Sequence, residues 1–155
     1  MKVLILYYSG YRNHTEKIAG IFADKIDCDL INIKESENVN IEGYNLIGFG
    51  SGVYKESLHQ KLYRMVEKLD LNGRNTFVFS TSGVGMKFYN NGLIKLIDSK
   101  GGINKGSFAC IGSFSPREFT DKKIFNFMGR LSHGHPNDKD FKKAEIFIKD
   151  LVKFI

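Results

Sequence analysis

Apolar residues along the chain fall into two alternating rhythms. Val3 to Tyr8 is an unbroken apolar run, as expected of a parallel strand buried on both faces. Ile18, Ala19, Phe22 and Ile26 then recur at helical spacing, which predicts a helix over Thr15 to Ile26. Leu30 to Ile33 and Leu46 to Gly50 read as the second and third strands. Leu58, Leu62, Met65, Val66 and Leu69 form one helix face. Asn75 to Ser80 is a fourth strand, Asn91 to Ser99 a helix carrying Leu93, Leu96 and Ile97, and Ser107 to Ser113 a fifth strand. Residues 114–136 read as irregular, with a short helix near Lys122 to Met128. The last helix opens at Asn137, an N-cap followed by acidic Asp138 and Asp140. Its buried stripe is Phe141, Ala144, Ile148, Leu151, Val152 and Ile155.

Five strands alternating with helices predict an α/β fold: a five-stranded, doubly wound parallel sheet in three α/β/α layers. Ligands of such sheets bind at the carboxyl ends of the strands, where the strand order reverses. The loops at residues 9–15, 50–57, 80–90 and 113–118 are therefore the ones to read for chemistry.

Composition narrows the class. The chain has 155 residues, 42% hydrophobic and 26% charged, so residues 1–155 are expected to form one globular domain. No apolar run approaches the roughly 20 residues of a membrane span. The apolar start is short and lacks a small-residue cleavage site, so it reads as a first strand and the cytoplasm is the expected compartment. Cys28 and Cys110 have neither CxxC spacing nor a partner cluster and read as reduced thiols. The net charge is +6, but lysines are scattered among acidic residues and no nucleic-acid-binding signature appears. The basic surface instead favours an acidic partner.

Ser9-Gly10-Tyr11-Arg12-Asn13-His14-Thr15 joins the first strand to the first helix. A strand-to-helix turn offers free backbone N–H groups and the positive end of the helix dipole, which suit a phosphate. Ser9 and Thr15 add hydroxyls. The alternative is a polar turn with Thr15 as helix cap. Neither G-x-G-x-x-G nor the P-loop pattern is present, which disfavours a Rossmann dinucleotide site and a P-loop NTPase. The glycines around Ser51 do not have G-x-S-x-G spacing, so no nucleophile elbow is indicated. His133 and His135 lack further ligands at metal-binding spacing. His59 is expected on a helix, facing solvent.

Several segments together resemble the flavodoxin family. Tyr7-Tyr8-Ser9 followed by Thr15-Glu16-Lys17-Ile18-Ala19 resembles its phosphate-binding start. Gly48-Phe49-Gly50-Ser51-Gly52-Val53-Tyr54 resembles the second flavin loop, and Phe79-Ser80-Thr81-Ser82-Gly83-Val84-Gly85 the third. Gly134 to Asp140 resembles the start of the last helix. Two departures stand out. Arg12-Asn13-His14-Thr15 replaces the usual Thr-Gly-Asn-Thr, and the chain is basic where flavodoxins are typically acidic.

The resemblance implies a flavodoxin-like fold, FMN as cofactor and electron transfer to a redox partner protein as function. It implies that Ser9, Arg12, Asn13, His14 and Thr15 hold the phosphate. Ser51, Gly52, Val53 and Tyr54, with Thr81, Ser82, Gly83 and Gly85, would hold the isoalloxazine. Gly50 and Gly52 would let backbone approach the flat ring, Tyr54 would stack on it, and the Ser51–Gly52 peptide would turn its carbonyl toward the flavin. Phe88 or Tyr89 would cover the other face. The alternative is a small FMN-dependent oxidoreductase acting on a quinone or porphyrinogen. A receiver-type regulatory domain would need clustered acidic residues after the first strand, where Tyr7-Tyr8-Ser9 stands instead.

Overall fold

A computed structural model describes residues 1–10, 13–112 and 133–155. Strand β1 (Val3–Tyr8) leads into α1 (His14–Ala23) and β2 (Cys28–Asn32). Strand β3 (Leu46–Tyr54) folds back as the two-residue β4 (Ser57–Leu58) before α2 (Gln60–Lys68). Strand β5 (Asn75–Ser82) is followed by a 3-10 turn (Lys87–Asn90), α3 (Asn91–Ser99) and β6 (Ile103–Ile111). The last helix, α4, is Asp138–Val152. The expected short helix near Lys122 to Met128, the end of the fifth strand at Ser113 and the loop at residues 113–118 lie outside the described residues.

The five long strands are all parallel, in the order β2-β1-β3-β5-β6. This is the flavodoxin-like order, with the reversal between β1 and β3. Side chains alternate across the sheet. Leu4, Leu6, Ile47, Phe49 and Val78 pack under Leu62, Met65 and Val66 of α2 and Leu93 and Ile97 of α3. Val3, Ile5, Tyr7, Phe77, Phe79 and Phe108 pack under Ile18, Ala19 and Phe22 of α1 and Ala144, Ile148 and Leu151 of α4. The expected three layers are therefore present. The Asn137 cap is also as expected: its side chain accepts from Lys139 and Asp140 N–H while Asp140 accepts from Asn137 N–H.

Several element ends differ from expectation: β6 starts at Ile103 rather than Ser107, α1 stops at Ala23 rather than Ile26, and Ile155, expected in the buried stripe of α4, lies beyond its end and is exposed. The third strand does not stop at Gly50 but runs to Tyr54 and turns back as β4, pairing Val53 with Leu58 and Tyr54 with Ser57. Leu58 therefore belongs to a strand, and α2 starts after it. Within β3, two glycines make room for side chains of β5. A Cβ on Gly48 would lie 2.4 Å from the Phe77 ring, and one on Gly50 2.1 Å from the Phe79 ring. These glycines are strand positions vacated for the phenylalanines of the neighbouring strand. Gly50 is thus occupied by a core contact and does not serve close approach to a flat ring.

Candidate functional site

Three loops converge at the carboxyl ends of β1, β3 and β5. Ser9 follows β1 directly and is only 4% exposed. Its hydroxyl has no hydrogen-bond partner among the described residues. Asn13, exposed, takes the left-handed conformation (φ 54°, ψ 30°) at the start of α1 and makes no side-chain cap. Asparagine tolerates this conformation better than most residues. The positive end of α1 is thus left without a side-chain cap. Thr15 does not cap the helix; its Oγ1 lies 3.0 Å from Thr81 Oγ1 and ties the first loop to β5. His14 packs against the chain at Gly112, where a Cβ would stand 3.6 Å from its ring. Arg12 lies outside the described residues.

The second loop is a hairpin. Lys55 (φ 49°) and Glu56 (φ 65°) are its tip, both in the left-handed region that a two-residue type I′ turn requires. Ser51, fully buried, spends its hydroxyl at the hairpin's base: it donates to Gly52 O at 2.6 Å and accepts from His59 N–H at 2.9 Å. Ser51 and Gly52 are paired with Ser80 and Thr81 of β5. The Ser51–Gly52 peptide therefore lies within the sheet. Val53 and Tyr54 extend beyond it, both partly exposed.

Tyr54 is not an isolated surface ring. It meets Tyr8 edge-on at 6.1 Å and His59 edge-on at 5.0 Å. His59 and Tyr8 stack at 3.6 Å, nearly parallel. Burial, with a contribution from Tyr8, raises the Tyr54 hydroxyl above its ordinary pKa. His59 is half-buried and caps α2 rather than facing solvent from within it, because its Nδ1 accepts from Lys61 N–H at 3.1 Å. No local pattern announces this, since the Tyr8 partner lies far upstream.

In the third loop, Thr81 and Ser82 end β5. Ser82 Oγ accepts from Gly85 N–H at 2.8 Å, closing the turn over Gly83. Gly85 has φ 64°, and a Cβ there would lie 2.9 Å from Ile111 N, so both conformation and space call for glycine. Beyond it Phe88 is 65% and Met86 51% exposed. Phe88 is therefore not a core residue, whereas Tyr89 packs on the core and meets Phe88 edge-on.

The histidine pair near α4 has a different use. His135 Nδ1 lies 2.5 Å from Asp140 Oδ2 at the helix start. Among the described residues no group of three His, Cys, Asp or Glu could hold a metal ion. Neither cysteine is disulfide-bonded. Burial pushes the Cys110 thiol up to about 12 and that of Cys28 up to about 11, so neither is an activated nucleophile. No helix among the described residues is long and apolar enough to cross a membrane.

Comparison with known proteins places these features in context. A family model described as a flavodoxin domain matches residues 4–135. The uncharacterized protein MJ0298 of Methanocaldococcus jannaschii is 36% identical over 155 residues, 99% of each chain. Among solved structures, a Streptococcus pneumoniae TIGR4 flavodoxin superposes over 100% of both chains (TM-score 0.68, 16% identity). A flavodoxin from the domain Archaea covers 99% of this chain and 97% of its own (TM-score 0.69, 13% identity). A Lactobacillus acidophilus flavoprotein solved in complex with FMN covers 68% of this chain and 91% of its own (TM-score 0.58, 22% identity).

Proposed function

Because this chain belongs to the flavodoxin domain family, we propose that it binds FMN and transfers electrons to and from a partner protein. The observation that carries the reading is the Ser9 hydroxyl, buried and unpartnered beside the uncapped start of α1. A buried polar group without a partner costs about 1–3 kcal/mol, and a phosphate oxygen at this position would remove that cost. Ser9, Asn13, His14 and Thr15, with Arg12 between them in sequence, would hold the phosphate. Gly52, Val53 and Tyr54 would line one side of the ring, and Thr81 to Gly85 its polar edge; Ser51 would contribute through the hairpin that its hydroxyl braces.

Bound there, the isoalloxazine supplies the redox chemistry, and the protein supplies binding, orientation and electrostatics. The exposed Lys55 and Lys87 flank the two ring loops and favour an acidic partner. The chain is read as a single soluble domain working in the cytoplasm. Mass spectrometry of the cofactor released from purified protein tests the reading. FMN is expected. FAD alone, or an apoprotein that does not take up FMN, would overturn it.

A second reading is an FMN-dependent oxidoreductase acting on a quinone or porphyrinogen. Exposed Met86 and Phe88 beside the third loop favour it, since they offer an apolar cover for a flat substrate. Steady-state turnover of a quinone by the FMN-loaded protein separates the two: an electron carrier alone shows none without its partner.

A further inference from the structure

His59 stands where three elements meet. Tyr8 ends β1, Tyr54 ends β3, and His59 sits between β4 and α2, stacked on the first and edged by the second. The Tyr8 and Tyr54 side chains also approach Gly10: a Cβ there would lie 3.4 Å from Tyr8 Cε1 and 3.8 Å from the Tyr54 hydroxyl. The three rings thus form one wall beside the loop after β1.

The imidazole is fixed in both orientation and protonation. Its Nδ1 accepts the Lys61 N–H, so that nitrogen carries no proton and the neutral ring must carry its proton on Nε2. The positive end of α2 opposes a second proton. Burial, with Lys61 and Arg64 nearby, also lowers the His59 pKa. Nε2 has no hydrogen-bond partner among the described residues and is not enclosed. A half-buried donor is therefore left open on an aromatic wall.

Building on the flavin reading, we infer that His59 is a fixed, uncharged hydrogen-bond donor that recognises a carbonyl oxygen on a flat conjugated ring lodged against the Tyr8–Tyr54 wall. The wall supplies apolar contact and the Nε2–H supplies direction. An uncharged donor favours a carbonyl without drawing in phosphate or carboxylate groups, which the opening of α1 suits better. Two rings carry this chemistry: the flavin itself, and a quinone acceptor that meets it.

Two variants isolate the donor. His59→Asn keeps an acceptor able to cap α2 and removes Nε2; His59→Phe keeps an aromatic ring and removes both nitrogens. Their thermal unfolding checks folding, and His59→Asn suffices if the other fails to fold. The probes are riboflavin on the apoprotein and 1,4-naphthoquinone on both apoprotein and FMN-loaded protein. Imidazole nitrogen NMR should show the Nε2–H tautomer in the free protein and a shift of Nε2 with the ring it contacts. Each variant should bind that ring about tenfold more weakly, the loss of one uncharged hydrogen bond. A loss for riboflavin identifies the flavin; a loss only for naphthoquinone identifies the acceptor. An Nδ1–H tautomer, or undiminished binding of both rings by the folded variants, overturns the inference. If the wild-type protein takes up no flavin, the functional reading falls. The inference then survives only if naphthoquinone on the apoprotein shows the loss.

Discussion

Thr15 and Thr81 meet hydroxyl to hydroxyl at 3.0 Å, although 66 positions separate them. One donates and the other accepts, and both are buried. This contact pins the start of α1 to the end of β5, so the first and third loops hold one fixed distance. Replacing either threonine by valine leaves the other hydroxyl unpaired and should cost about 1–3 kcal/mol. Replacing both should cost less than the sum, because no orphan remains. Urea midpoints of the two single variants and the double variant measure the coupling; strict additivity would show that the contact contributes nothing.

Ser9→Ala should act in opposite directions on the free and loaded protein. Removing a buried, unpartnered hydroxyl should stabilise the apoprotein by about 1 kcal/mol. Losing a hydrogen bond to a charged phosphate should weaken FMN by about 1.5–3 kcal/mol and leave riboflavin unaffected. Unfolding of the apoprotein and fluorescence titrations with the two flavins read the two effects separately. Equal loss for FMN and riboflavin would show that Ser9 does not contact the phosphate.

Gly50→Ala should be destabilising because of Phe79, not because of any ligand. The added methyl would start 2.1 Å from the ring, and overpacking of this kind typically costs about 1–3 kcal/mol. In a Phe79→Leu background the same substitution should cost less than half as much. Denaturant unfolding of the double-mutant cycle gives the comparison, and an unchanged penalty would place the strain elsewhere.

His59 makes stability depend on pH in a defined window. Burial first, then Lys61 and Arg64, hold its pKa below the ordinary 6.5, so the unfolded chain takes up a proton more readily than the folded one. The contribution is complete above pH 6.5 and is lost as pH falls through the lower folded value. Wild-type urea midpoints should therefore fall more steeply than those of His59→Asn between about pH 7 and pH 5. Parallel curves would exclude His59 as the group responsible.

Most elements were legible because buried parallel strands and amphipathic helices write simple patterns. Val3 to Tyr8 and Asn91 to Ser99 appear at the expected bounds, and Asn137 caps the last helix. The end of β3 was not legible. Leu46 to Gly50 read as the strand and the stretch from Gly50 onward as a loop, because Gly52 and the polar residues around it carry no strand pattern of their own. Leu58 fell into helical spacing although it pairs with Val53 in a hairpin. In the site, Ser9, Thr15 and Thr81 showed themselves as hydroxyls beside strand ends. The role of His59 did not, since it rests on contacts with Tyr8 and Lys61 that no local pattern announces.

The hairpin tip is open to improvement. Lys55 and Glu56 both hold positive φ, a conformation costing roughly 1–2 kcal/mol per ordinary residue. Asn-Gly suits a type I′ turn best. Lys55→Asn with Glu56→Gly should raise stability by about 1 kcal/mol, the gain being reduced by the extra freedom of glycine in the unfolded chain. Thermal unfolding tests it, and a lower midpoint would mean that the two side chains contribute more than the turn conformation costs.

The vacated glycines of β3 also work as a key. Gly48 and Gly50 face the rings of Phe77 and Phe79 with a spacing of two, so the two strands fit in one alignment. Sliding β3 by one residue would drive Ile47 and Phe49 into those rings and carry the glycines to the opposite face. The same alignment fixes how far Tyr54 overhangs the sheet, and so where the aromatic wall stands relative to Thr81. The reach of the crevice is thus measured out in the core, two turns of the pleat beneath it, by side chains that no ligand need touch.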